Sequence, residues 1–138
     1  MCFEDVEVGD TAPVLSHKLT RADLVEYAGA SGDFNPMHTD EVAAKEAGMP
    51  GVFGHGMLSA GLLATAITNW AGIGRVVRYQ VRFVKQAWPG EDFATSIAVT
   101  GKRQEGGTYL VDVECSLANA DGEVKVSGEA TVKLPSRA

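Results

Sequence analysis

With 138 residues, 18 acidic against 12 basic and a formal net charge of −6, the chain suits one domain over 1–138 and argues against nonspecific nucleic-acid binding. Its two cysteines, Cys2 and Cys115, lack metal-ligand spacing and fit a reduced, cytoplasmic protein better than a disulfide framework. The opening MCFEDVEVGD is acidic and turn-like, so no secretion signal is expected.

In chain order, residues 3–8 read as an edge or lead-in segment, and His17 as a surface residue before the first helix. Thr20 begins that helix, with Asp23 three residues on as a capping box. Leu24, Tyr27, Ala28 and Ser31 then keep helical spacing. Asp40 caps a second short helix that runs to Ala47 and is ended by Gly48. Residues 56–70 are apolar on nearly every side and predict a buried helix. That run is shorter than a membrane span and is interrupted by Ser59, Thr65, Thr68 and Asn69.

From residue 75 the period changes to two. Val77, Tyr79, Val81 and Phe83 alternate with Arg78, Gln80 and Arg82, which predicts a half-exposed strand. The turn WPGED leads to Phe93, Thr95, Ile97 and Val99, and Gly106-Gly107 marks a hairpin. Tyr109, Val111, Val113, Cys115 and Leu117 form the next strand. The turn Asn119–Gly122 passes to a last one through Val124, Val126, Ala130 and Val132. Helices first and antiparallel strands after give an α+β domain.

The stretch from Tyr27 to Met57, YAGASGDFNPMHTDEVAAKEAGMPGVFGHGM, concentrates the chemistry. Asp33, Asn35 and Pro36 are turn formers, and Pro36 pushes Asn35 toward an extended conformation. An isolated Asp-x-Asn-Pro-x-His run reads first as an Asx turn with a capping histidine. The same loop also lets Asp33 and His38 reach one water. A carboxylate and an imidazole that titrates near neutrality suit general acid–base work. Water addition across a carbon–carbon double bond needs a base for water and an acid for carbon, and this pair supplies both without metal or cofactor. Gly54, His55 and Gly56 precede the buried helix, whose N-terminus offers free N–H groups and partial positive charge. Gly56 lets a ligand carbonyl approach that backbone, where the N–H would stabilise developing negative charge. The glycines also serve helix–sheet packing.

The motif SGDxNPxH at Ser31–His38, with HGM at His55–Met57, resembles the MaoC-like hydratases, the (R)-specific enoyl-thioester hydratase and dehydratase group. The resemblance covers nearly the whole chain and is strongest from Leu24 to Trp70. It extends to Tyr79–Phe83. Through Thr68-Asn-Trp-Ala-Gly72 the chain is similar to the mycobacterial (3R)-hydroxyacyl-acyl-carrier-protein dehydratase subunit. It implies a hotdog fold, an antiparallel sheet wrapped around a long central helix. It implies reversible addition of water to trans-2-enoyl thioesters in fatty acid metabolism, giving (R)-3-hydroxyacyl thioesters. By position, the catalytic Asp and His fall on Asp33 and His38, the loop Asn on Asn35, and the thioester-binding Gly on Gly56. One departure is Ala64, where some (R)-hydratases carry a serine; Ser59, one turn nearer the helix start, is the polar group at hand.

Other residues keep two readings. His55 shapes or caps the Gly-rich turn, or contacts substrate. Asp33, His38 and Asp40 are metal-compatible types, but Asp40 is better used as a helix cap, and no metal is expected. Arg75, Arg78, Arg82 and Lys85 read as a solvated strand face, or as a docking patch for a phosphopantetheine arm or an acidic carrier protein. Met37, Met49 and Met57 are core or acyl-tunnel lining. The expected partner is an acyl-CoA or acyl-carrier-protein thioester, with no nucleic acid and no membrane. The subunit is expected to pair as a homodimer or a heterodimer with another hotdog subunit. A noncatalytic partner subunit and a hotdog thioesterase are the alternative functions.

Overall fold

Three α-helices precede most of the strands in the computed structural model, which describes residues 1–138. Strand β1 (Ser16–Lys18) leads into α1 (Arg21–Ser31), α2 (Glu41–Glu46) and α3 (Gly56–Ala71). Strands β2 (Val76–Phe83), β3 (Asp92–Glu105), β4 (Thr108–Asn119) and β5 (Val124–Leu134) follow. They form one antiparallel sheet in the order β1-β3-β4-β5-β2.

The helix ends follow from local chemistry. Thr20 and Asp23 close the expected capping box on α1: Asp23 N–H donates to the Thr20 hydroxyl at 3.1 Å, and Thr20 N–H to the Asp23 carboxylate at 2.9 Å. The Asp40 carboxylate accepts from the Val42 and Ala43 N–H groups at 3.0 and 3.1 Å, capping α2. Helix α3 buries Leu63, Ala66 and Ile67 against Val99, Val113, Leu117 and Val132 of the sheet. The Tyr79 hydroxyl, in β2, donates to the Ala60 carbonyl of α3 at 2.7 Å, tying strand to helix. No helix is long and apolar enough to cross a membrane.

Four details differ from the sequence expectations. Strand β1 was not expected; three residues are too few to show a period, and pairing with Asp92–Ala94 creates it. That pairing half-buries His17, whose Nε2 lies 2.8 Å from the Asp23 carboxylate, so it is not a plain surface residue. Of the two readings of residues 3–8, the lead-in segment holds rather than the edge. Phe3–Asp5 is a 3-10 turn, Phe3 N–H donates to the Pro135 carbonyl, and the Lys102 ammonium donates to Val6 O. In β2, a register shift between Val76 and Arg78 turns Val77 outward and leaves Val76 packed on the core. The fourth is Lys125, fully buried where strand alternation placed it outside.

Candidate active site

Helix α1 ends at Gly32, in the left-handed region at φ 76°, and the chain then doubles back. The Asp33 carboxylate accepts the Asn35 N–H at 3.2 Å, and the Asn35 carboxamide oxygen accepts the Met37 N–H at 3.1 Å. Pro36–His38 completes a 3-10 turn. The Asx turn and the acid–base pair are therefore the same structure. Asp33 stays exposed, and His38 is 8% exposed.

His38 is oriented by a partner outside the loop. Its Nδ1 lies 2.6 Å from the Phe53 carbonyl. A carbonyl only accepts, so Nδ1 carries the proton and Nε2 keeps its lone pair. The His55 ring stacks on the His38 ring, with centroids 3.8 Å apart and planes 29° apart. His55 Nε2 lies 3.1 Å from the Asp33 carbonyl, and its buried Nδ1 has no partner. Nitrogen atoms of both rings and a carboxylate oxygen of Asp33 lie within 4.8 Å of one another. His55 is 1% exposed. Burial pushes its pKa down and the neighbouring His38 adds to this, against the Asp33 carbonyl and carboxylate. Each ring thus donates one N–H to a backbone carbonyl. Asp40 is held at the start of α2 and joins neither ring.

The second half of the site begins at Phe53. Gly54 N–H donates to the Ala87 carbonyl at 2.8 Å, fixing the turn before α3. The Leu58 and Ser59 N–H groups return to the His55 carbonyl, whereas those of Gly56 and Met57 have no partner in the chain. A cavity of about 320 Å³ opens here, lined by Phe53, Gly54, Gly56, Ser59, Phe83, residues 84–87, Lys125 and Val126. A Cβ on Gly56 would stand 3.1 Å from the Phe83 ring, so the absent side chain is part of the cavity's shape.

The fold brings Asp33, His38 and His55 together at one end of α3 and puts Gly56 and Ser59 on the cavity. Asn35 shapes the loop through its own turn, and His55 faces His38 and Asp33 rather than the cavity. Met49 packs on the core and Met57 is exposed. Arg75 donates to the Met1 carbonyl, Arg78 pairs with Glu129 and Lys85 with Glu123. Arg82 is exposed without an ionic partner. Sequence reasoning missed Lys125 and the Phe53 carbonyl. A backbone acceptor leaves no mark on residue identity, and Lys125 sits among valines as an ordinary outward strand residue would.

A family model described as MaoC like domain matches residues 7–120. The chain belongs to the MaoC-like family. It is 32% identical to the (R)-specific enoyl-CoA hydratase of Rhodospirillum rubrum, over 98% of this chain and 92% of that protein. It is 41% identical to 3-hydroxyacyl-thioester dehydratase X of Mycobacterium tuberculosis, over 53% of this chain and 25% of that one. The structure of the R-hydratase PhaJ1 from Pseudomonas aeruginosa superposes with a TM-score of 0.88 at 28% identity, covering 99% of this chain and 86% of that one. The sheet wrapped on α3 is the hotdog fold, in the α+β class, as this MaoC-like chain's motif implied.

Proposed function

We propose that this MaoC-like chain is an (R)-specific hydro-lyase. It adds water reversibly to trans-2-enoyl thioesters of coenzyme A or an acyl carrier protein, in fatty acid metabolism. The kinship to hydratases and dehydratases supports the reaction class. The single observation that carries the mechanism is the His38 Nδ1–H bond to the Phe53 carbonyl, which leaves Nε2 as the basic nitrogen of a ring that comes within 4.8 Å of an Asp33 carboxylate oxygen. Asp33 and His38 share one water. The pair takes a proton from it as the hydroxyl adds to C3, and returns a proton to C2 on the same face. After turnover the pair holds the protons it began with. The thioester carbonyl sits at the Gly56 N–H, where the helix terminus stabilises the enolate-like charge. Ser59, 4% exposed on the cavity wall, is the polar group that stands in for the serine absent at Ala64.

One assay tests the reading. The purified chain is given crotonyl-CoA. Falling enoyl absorbance with the thioester intact is the expected result. Released thiol would make the chain a thioesterase, and neither signal would make it a noncatalytic partner subunit.

The same proposal assigns the activity to one domain over 1–138, acting in the cytoplasm as a dimer with itself or with another hotdog subunit. Strand β2 is an eight-residue sheet edge. Phe34, Met57, Phe83 and Val84 are exposed near the site. Edges and patches of this kind are ordinarily covered. Light scattering should give about twice the 14.5 kDa of one chain. An active, stable single-chain species at micromolar concentration would refute the pairing.

A further inference from the structure

Lys125 is the one lysine or arginine that the fold buries completely, 1% exposed, and the mechanism above makes no use of it. It is the second residue of β5 and lies on the cavity wall. Its ammonium donates to Glu123 at 2.6 Å and to the Gln86 carbonyl at 3.0 Å, and forms an ion pair with Glu91 at 2.9 Å. The carboxylates are held in turn. Glu91 accepts from the Trp88 N–H and the Asn119 carboxamide, both at 2.7 Å, and Glu123 takes Lys85 at 3.1 Å. The Lys125 backbone carbonyl accepts from the Val84 and Lys85 N–H groups at 2.8 and 3.3 Å. Main chain and side chain of one residue thus grip the β2–β3 connection at Val84, Lys85 and Gln86. Glu91 closes its far end.

That connection reaches the chemistry by an unbroken chain of bonds. Residues 84–87 line the cavity. The Ala87 carbonyl holds the Gly54 N–H at 2.8 Å, and the preceding Phe53 carbonyl holds His38. Trp88 packs edge-on against the Phe53 ring, with centroids 6.0 Å apart. A buried ion cluster is a poor device for stability alone, because an apolar residue of the same volume avoids the desolvation cost. It is a good device for fixing one geometry of a connection that has little regular structure of its own.

Resting on the hydratase reading, we propose that Lys125 is a positioning residue. Its ion cluster with Glu91 and Glu123 sets the cavity wall at 84–87 and the turn that presents Gly56 to the thioester. It does not touch the reacting atoms.

The test compares Lys125→Met with the triple variant Lys125→Met/Glu91→Gln/Glu123→Gln. The single variant leaves the buried Glu91 carboxylate without a cation and loses stability. The triple variant has no uncompensated buried charge, since the Lys85 ammonium it frees is exposed, so it folds, but Gln86 has lost its donor. In both, KM for crotonyl-CoA and Kd for the unreactive butyryl-CoA should rise about tenfold or more, with kcat within about threefold. The amides of residues 84–87 and of Gly54 should exchange faster than in wild type. A triple variant with wild-type KM, Kd and exchange would make the cluster structural only and overturn the proposal. So would failure of both variants to fold, or a loss confined to kcat. A wild-type chain that fails to hydrate crotonyl-CoA sinks the hydratase reading instead; binding and exchange then still judge the role of Lys125.

Discussion

Residues 32–38 and residues 53–59 face one site and are held by different means. The first segment holds itself. Asp33 bonds Asn35, Asn35 bonds Met37, and His38 N–H returns to the Asn35 carbonyl. The second is held from elsewhere: Gly54 by Ala87, Phe53 N–H by the Met37 carbonyl, and the His55 ring by the Asp33 carbonyl. Short-range turns place Asp33 and the backbone of His38, while the Phe53 carbonyl orients the His38 ring, so the side chains can be changed with the loop backbone intact. Long-range bonds place the electrophilic turn, so its binding function and the packing of the domain are coupled.

The largest expected effect is on the self-held half. Asp33→Asn and His38→Ala should each lower turnover of crotonyl-CoA by at least about a hundredfold, the scale of lost acid–base catalysis. Asp33→Asn should leave the melting temperature nearly unchanged, because the side chain is exposed and an amide oxygen still accepts the Asn35 N–H. Near-wild-type turnover in either folded variant would remove the pair from the mechanism.

Gly56→Val tests the other half. The branched side chain would meet Phe83 and stand where the carbonyl must approach. Loss of the donor contact costs about 3 kcal/mol, on the order of a hundredfold in kcat/KM. Phe83 is half exposed, so its ring has room to yield. Activity should therefore fall far more than melting temperature. Losses in proportion would make Gly56 a packing residue only.

Ser59→Ala sharpens the comparison on a smaller scale. One neutral hydrogen bond made in the cavity is worth about 1 kcal/mol, roughly fivefold in kcat. Calorimetric stability should hold. An unchanged kcat would leave the place vacated at Ala64 without a substitute.

The smallest effect joins the halves through His55. Its pKa in the fold lies below the ordinary 6.5 because burial penalises the charged ring. The unfolded chain therefore takes up the proton first as pH falls. The stability contributed by neutral His55 is complete above pH 6.5 and is lost as pH falls from there toward the folded pKa. Melting temperature should decline over that window in wild type and less so in His55→Asn. Identical slopes would show that His55 does not titrate differently in the fold.

The comparison also separates what residue order reveals from what it hides. The 32–38 turn was legible because Asp, Asn and Pro act on neighbours two or three residues away, and residue identity is enough to place them. The caps at Thr20 and Asp40 and the burial of α3 were legible for the same reason: their signals repeat within one or two turns of the chain. The strand periods survived folding from Phe93 to Val99 in β3 and from Val111 to Leu117 in β4, where each buries one face toward the core. Strand β1 did not show, having no period until β3 gave it a partner. The shift at Val77 came from the β2–β5 pairing, which decides locally which of two adjacent valines faces inward.

By itself, then, the sequence determined the helices, the hairpins, the acid–base loop and the glycine turn, because those rest on contacts between near neighbours. Tertiary structure alone decided the state of the rings. The Phe53 carbonyl selects the His38 tautomer, and the stacked, proton-poor His55 exists only where two distant segments meet. It also decided that Lys125 turns inward. Three partners, two from the β2–β3 connection and Glu123, make burial of that charge tolerable, and no local pattern can announce them.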